Sequence, residues 1–355
     1  MSTSDTRSPA DIAKAHTGSV VYIEAGWKLI FTRTGGQVYH RYIPNQWKDR
    51  KGTLHAIVDD GRSSVAAYIL VGQNTVEPLL TLDKGLGPPV SGQHTGSGFA
   101  VTSDGFVLTS RGVGATWQTS YHLPPSSTPG VVISNGGISL LPDGTPRLVA
   151  APTDWVPSET EEAGQVLQGA FEGRNDFLNV TFAKNELSFP ARVSGVSGRH
   201  DVAMLKIDVP ESVSKVELND NYETIKQGDA SIVLGYSRSS APVYGVIRPQ
   251  DGSNSASQVK IIPDPTLSVG NIGRVIRGHD SSGSSKDMVY SVIGDVYQLT
   301  NSTDIGTSGA PVFDDHGRVI GMVSTLSTAG GLSVTYAVPI RYAKELMSTA
   351  APSSK

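Results

Sequence analysis

Gly306-Thr307-Ser308-Gly309 is the segment whose residue types point most directly to a nucleophile. Acyl transfer needs a hydroxyl held beside a base and two backbone N–H groups aimed at the developing oxyanion. Glycines on both sides of Ser308 let the chain turn tightly and bare its amides, so the N–H groups of Gly306 and Ser308 are the candidate donors. Taken alone, Gly-x-Ser-Gly is a common turn. Its chemical reading depends on what the rest of the chain brings beside it.

The elements that must position this turn read as short strands. Ser19 to Ile23 is the first strand signal. Gly98 to Thr109 makes two strands across an Asp104-Gly105 turn, a strong hairpin cue. Asn179 to Phe182, Ser188 to Val193 and Val202 to Ile207 continue the series, with Lys184-Asn185 as a turn. A second set follows: Ala230 to Leu234, Val243 to Ile247, Gln258 to Ile262, Met288 to Leu299, Pro311 to Phe313, Val319 to Ser324 and Ser333 to Val338. Residues 10–17 and Arg341 to Ser348 read as short helices. The 39 glycines and 21 prolines suit many strands joined by turns. Closely spaced short strands mean an all-β barrel or sandwich.

Two stretches, about 26–93 and 114–174, break the regular series. The second opens a helix signal at Ser158, with Glu161 placed to complete a capping box. All four tryptophans, Trp27, Trp47, Trp117 and Trp155, lie in these stretches. They either fill small local cores or form an aromatic surface for a partner.

Composition bounds the function. With 38% hydrophobic and 17% charged residues over 355 positions, the chain is long enough to bury a large core. A net charge of −4 argues against a nucleic-acid binder with a basic surface. There is no cysteine, hence no disulfide and no thiolate metal site. No run of about 18 apolar residues is present, so no span of a bilayer is expected. The first residues lack the apolar core of a signal peptide, and with the missing cysteines this predicts a cytoplasmic location. The remaining histidines, His16, His40, His55, His279 and His316, show no metal-ligand spacing and read as surface residues, and no metal or cofactor is expected.

Taken together, several blocks resemble the chymotrypsin-fold serine proteases, most closely the HtrA/Deg branch. They are Ser19 to Ile23, Gly96 to Val113, Phe189 to Ile207, Ser231 to Gly235, Thr303 to Val323 and Tyr336 to Ile340, in family order. The resemblance implies two six-stranded antiparallel Greek-key barrels. The first would occupy residues 10–210, with insertions at about 26–93 and 114–174. The second, at 211–348, would carry the nucleophile, and 349–355 would be a polar tail. It implies Ser308 as nucleophile, Asp201 as the acid that orients a histidine, and Gly306 with Ser308 as the oxyanion hole. Ser302 would floor the primary specificity pocket, with a preference for small or medium apolar side chains. Val323, Ser324 and Thr325 would bind substrate backbone. The partner would be a protein or peptide substrate.

The chain departs from the family at Gly112. The family pattern is Thr-x-x-His-Val, and here it is Thr109-Ser110-Arg111-Gly112-Val113. Glycine accepts no proton, so a trypsin-like endopeptidase scaffold with its general base missing is expected to be inactive or severely impaired. Loss in evolution and an introduced substitution both remain open. His94, His122 and His200 lie nearest in sequence to the relevant blocks and are the candidates for a displaced base. On a strand, His200 would point away from its neighbour Asp201. The alternative reading is a non-catalytic module that holds extended peptides in the retained cleft.

Overall fold

A computed structural model of the chain describes residues 6–72, 75–162, 165–166, 170–219, 221–240, 243–247, 258–278, 294–329 and 332–350. It divides into two compact units, one of Met1–Ala25, His94–Ala115 and Phe177–Lys355, the other of Gly26–Gln93 and Thr116–Asp176.

Two closed antiparallel barrels of six strands each organise the chain. The first is built from β1 (Val20–Phe31), β2 (Ser91–Ala100), β3 (Phe106–Thr109), β4 (Phe171–Phe182), β5 (Ser188–Val196) and β6 (Ala203–Ile207). Its order is β2-β3-β6-β5-β4-β1, and pairing of β1 with β2 closes it. The second comprises β7 (Ala230–Gly235), β8 (Thr266–Ile276), β9 (Val296–Leu299), β10 (Pro311–Phe313), β11 (Arg318–Ala329) and β12 (Leu332–Pro339). Its order is β11-β10-β7-β8-β9-β12, closed by β11 with β12.

Strand periodicity explains why the two barrels pack together. Neighbouring side chains on a strand point to opposite faces. Val107, Leu205, Val21 and Ile23 therefore fill the first barrel, while Leu108, Met204 and Val20 beside them face outward into a shared apolar layer. In the second barrel Val233, Val312 and Ile320 point inward, and Ile232, Phe313 and Val319 meet the same layer. Strands buried on both faces read as unbroken apolar runs, which is why their alternation is faint in the sequence. Helix α1 (Pro9–His16) adds Ile12 to this layer, and the C-terminal helix (Ile340–Ala350) adds Ile340, Tyr342 and Ala343. The tail expected after this helix, from residue 351 on, lies outside the described residues. Among the described residues no helix is long and apolar enough to cross a membrane.

The Asp104-Gly105 turn joins β2 to β3 as expected. Gly105 adopts φ +97°, and a Cβ there would lie 2.5 Å from the Ile207 carbonyl oxygen, so a side chain is excluded twice over. Strand β8 has no counterpart among the strand signals of the sequence. Gly270 and Gly273 interrupt its pattern, and of its residues only Ile272 is fully buried. Val243–Ile247 and Gln258–Ile262 are strands, but they pair only with each other, outside the closed barrel. The expected strand from Met288 begins, among the described residues, at Val296, and positions 288–293 lie outside them.

The second unit has its own sheet. Gly130–Ser134 pairs in parallel with Ser64–Leu70, which pairs antiparallel with Tyr42–Pro44 and Val76–Pro78. Trp27, Trp117 and Trp155 are buried here, and the Tyr121 ring stands edge-on to Trp27 and to Trp155, at 5.7 Å from each. These three tryptophans are core and offer no aromatic surface to a partner. Trp47 packs partly exposed on a smaller cluster around Ile57 and Val65. The helix expected at Ser158 is a single 3₁₀ turn, Pro157–Glu159. A tertiary partner takes its place: Glu77 accepts from the Thr160 hydroxyl at 2.7 Å and the Glu161 backbone N–H at 2.8 Å, which draws the chain into an extended course.

Candidate functional site

Ser308 follows the 3₁₀ turn Ile305–Thr307 and precedes Gly309 at φ +86°. A Cβ at Gly309 would stand 2.1 Å from the Ser97 carbonyl oxygen and 2.4 Å from Thr109 Oγ1, so only glycine fits. The turn is clamped from both barrels. Ser97 N–H donates to the Ser308 carbonyl at 2.8 Å, and Gly309 N–H donates to the Val323 carbonyl at 2.7 Å.

Asp201 sits just before β6. Its Oδ1 accepts the backbone N–H of Gly112 at 3.1 Å, and its Oδ2 accepts the Ser324 hydroxyl at 2.5 Å. Ser324 also binds Ser308, whose hydroxyl donates to the Ser324 carbonyl at 3.3 Å. One residue of β11 thus bridges the serine and the aspartate, through its carbonyl on one side and its hydroxyl on the other. The structure therefore brings Ser308, Asp201 and Gly112 into one cluster. Ser324 was expected only as backbone for substrate. Its hydroxyl role was missed, because nothing local in the sequence marks a serine in a strand as the partner of a carboxylate 123 residues away.

Gly112 lies in a short helical turn, Arg111–Gly114. A methyl group placed on it would meet only Ser110 Oγ, at 3.9 Å. Ser110 Oγ is buried and has no hydrogen-bond partner among the described residues. No ring from elsewhere lies within 4 Å of a Cβ placed there. His94 is held by its Nε2 on the Val113 carbonyl at 2.9 Å, and burial pulls its pKa below the ordinary value despite that bond. The His200 ring stacks on Tyr342 at 3.5 Å. His122 is exposed within the second unit. The Ser308 hydroxyl turns instead to the Ser324 carbonyl, and the Asp201 carboxylate to Gly112 and the Ser324 hydroxyl.

The two candidate oxyanion donors face inward in this structure. Gly306 N–H donates to Asp304 Oδ1 at 2.9 Å, and Ser308 N–H donates to the Ile305 carbonyl at 3.2 Å. Asp304 caps this turn and ties it to the loop after β7. It also accepts from the Ser237 hydroxyl at 2.6 Å, the Ser239 hydroxyl at 2.7 Å, Ser239 N–H at 2.8 Å and Arg238 N–H at 3.1 Å. Burial opposes ionisation of Asp304, yet these donors together hold its pKa down to about 2. Asp304 was not among the expected site residues; its only sequence signal is the Asp-x-Gly spacing of a local side-chain turn.

Ser302 is exposed. The buried residue beside it is Asn301, which accepts from the Ser231 hydroxyl at 2.5 Å and donates to the Ser231 and Ser268 carbonyls. Asn301 can satisfy both ends of its amide there, and this turns Ser302 outward. Val323 is fully buried, and its backbone is spent on the nucleophile turn: its N–H reaches the Ala310 carbonyl and its own carbonyl accepts from Gly309. The pairing of β11 with β12 shifts register between Val323 and Leu326, which takes Ser324 and Thr325 out of the regular ladder.

Other histidines depart from the surface reading. His40 is buried, with Nε2 on the Ala67 carbonyl at 2.9 Å, and His16 stacks on Phe313 at 4.8 Å. His55 and His316 stand beside Asp49 and Asp315. His279 lies outside the described residues. Among the described residues no group of side chains is arranged to hold a metal ion.

A family model for the trypsin-like peptidase domain matches residues 96–322. Among solved structures, an HtrA-type protease AlgW with decapeptide is 16% identical at a TM-score of 0.47, covering 97% of this chain and 67% of that one. AlgW with tripeptide is 13% identical at 0.47, covering 96% and 63%. Deg5 is 14% identical at 0.44, covering 95% and 90%. This chain spans 63% to 67% of the length of the HtrA-type chains. No curated protein sequence matches it.

Proposed function

The chain belongs to the trypsin-like peptidase family, and we propose that it is an HtrA-like member that binds extended peptide segments and scarcely cleaves them. In the family chemistry a histidine takes the serine proton, and the aspartate orients that histidine. Here the position of the histidine is Gly112, whose only group directed at Asp201 is a backbone N–H.

The observation that carries this reading is the Ser324 bridge. Ser308 hydroxyl, Ser324 carbonyl, Ser324 hydroxyl and Asp201 carboxylate form one continuous path with no titratable nitrogen in it. Neither a serine hydroxyl nor a backbone carbonyl supplies the general base that an imidazole does. In subtilisin, removing the histidine alone costs about a millionfold in kcat. A residual rate of roughly 10³–10⁴ over water from binding and oxyanion donors is the most such a site retains. Asp201 needs no imidazole for its own stability, because Gly112 and Ser324 satisfy one oxygen each. The fold therefore tolerates the missing base.

A peptide added at the Ser324–Thr325 irregularity would gain backbone hydrogen bonds beside Ser308 without reaction. The test compares the unaltered chain, Gly112→His, and Gly112→His with Ser308→Ala. Fluorophosphonate labelling and casein hydrolysis should be near background in the first, present in the second and lost again in the third, while the unaltered chain still binds unfolded casein. Fast labelling of Ser308 in the unaltered chain would overturn the proposal.

A further inference from the structure

Beside the nucleophile turn stands a cation with no partner among the described residues. A Cβ on Gly306 would lie 2.5 Å from the Tyr236 carbonyl oxygen and 2.8 Å from both Cγ and N of Arg238. The stem of Arg238 is thus laid against the backbone two residues before Ser308. Its main chain is firmly placed, because Asp304 binds the N–H groups of Arg238 and Ser239 and the hydroxyls of Ser237 and Ser239. Its side chain is different. Arg238 is exposed, and among the described residues its guanidinium forms no ion pair and no hydrogen bond.

The nearby acids do not neutralise it. Asp304 meets Arg238 only through the backbone N–H and already accepts four other hydrogen bonds. Glu24, exposed on β1, acts with Arg238 on the hydroxyl of Tyr22 from opposite signs, yet it forms no ion pair with Arg238. Tyr22 stands edge-on to Tyr236 at 5.5 Å, so β1 and the loop after β7 converge here. A preordered backbone carrying an unpaired, exposed guanidinium beside a reacting turn is suited to a carboxylate, which it can bind in bidentate fashion.

We propose that Arg238 is a specificity-determining residue that selects an acidic side chain in the bound peptide. The inference rests on the reading that the cleft binds extended peptides. Ser324 flanks Ser308 from β11 and Gly306 flanks it from the opposite end of the nucleophile turn. On this proposal the peptide runs from Ser324 past Ser308 and over Gly306 to Arg238. An extended residue advances about 3.3 Å and an arginine side chain reaches about two such steps, so the selected acid lies one to three residues beyond the residue held at Ser308. Aspartate or glutamate there is preferred to asparagine or glutamine by roughly three- to tenfold, the range of a partly solvated ion pair.

The test uses fluorescein-labelled, positionally scanned nonapeptides that carry glutamate, glutamine or lysine at each position in turn. Binding is read by anisotropy on the full chain and on Arg238→Gln and Arg238→Glu. Both variants should fold normally, because the side chain is exposed. The expected result is a glutamate preference confined to one or two adjacent positions. It should be lost in Arg238→Gln and turned toward lysine in Arg238→Glu, with binding of the glutamine peptides unchanged. If peptides bind but glutamate confers no advantage, or the advantage survives Arg238→Gln, the role of Arg238 is overturned while the peptide-binding reading stands. If no peptide binds the unaltered chain, both fail.

Discussion

The carboxylate of Asp201 and the backbone amide of Gly112 meet at 3.1 Å across 89 residues of sequence. This contact gives one oxygen of Asp201 a main-chain donor. Both carboxylate oxygens of Asp201 have donors, and the Ser308 hydroxyl is bound to the Ser324 carbonyl. A Cβ on Gly112 would meet only Ser110 Oγ, at 3.9 Å.

Gly112→His should therefore fit and restore activity. A Cβ at this position meets nothing nearer than 3.9 Å, and replacing a glycine inside a helical turn also removes its backbone-entropy cost. Hydrolysis of an unfolded protein substrate should rise by at least about 10² and by up to about 10⁶, the loss that removal of the histidine causes in subtilisin. Gly112→Ala is the control and should give no gain. A well-folded Gly112→His as slow as Gly112→Ala would count against the assignment of this position.

Ser324→Ala should destabilise the fold by about 1–2 kcal/mol, because a hydrogen bond from a neutral hydroxyl to a half-buried carboxylate is lost and Asp201 Oδ2 is left without its donor. Urea unfolding reads this directly. An unchanged midpoint would mean that Asp201 draws nothing from the 2.5 Å contact.

Asp304 makes the nucleophile turn acid-sensitive. Its folded pKa of about 2 lies below the ordinary 3.8, so its stabilising effect is complete above about 4 and is lost as pH falls toward about 2. Asp304→Asn should unfold with a flatter pH profile in that window than the unaltered chain. Removing the carboxylate also frees Gly306 N–H from its internal acceptor. Asp304→Ala combined with Gly112→His should accordingly change kcat more than KM, whereas a purely structural role for Asp304 would lower both activity and stability together.

His40 should make the second unit weaken at mildly acid pH. Burial lowers its pKa from 6.5 to about 4 against the opposing bond to the Ala67 carbonyl. The unfolded chain takes up the proton first, so stability is complete above about 6.5 and falls progressively toward about 4, by roughly 3 kcal/mol at the lower end. Thermal unfolding of His40→Gln should show a smaller loss of Tm between about pH 7 and about pH 4.5, the window that this shift opens. Parallel curves for the two proteins would remove His40 as the cause.

The barrels and the tight turn at Ser308 were legible because their signals are local. The Asp104-Gly105 turn, the glycines around Ser308 and the order of the strand blocks need no distant partner to be read. Strand β8 escaped because Gly270 and Gly273 dilute its pattern, and the Ser158 helix was misread because Glu77 recruits Thr160 and Glu161 from the other side of the unit. His40 looked like a surface residue because nothing in its neighbours shows that Ala67 and Tyr68 close over it.

The absence of a side chain at residue 112 is a fact of the sequence alone, and so is the presence of Ser308 and Asp201. Only the tertiary structure decides what those residues touch. Ser324 reaches Asp201 across 123 positions and Asp304 reaches Ser237 across 67, and such pairs are chosen by how two barrels close and pack, not by local propensity. Hydrogen bonding of buried polar groups is a demand the sequence states in general terms. Which donor meets it is settled when the apolar layer between the barrels brings distant strands together.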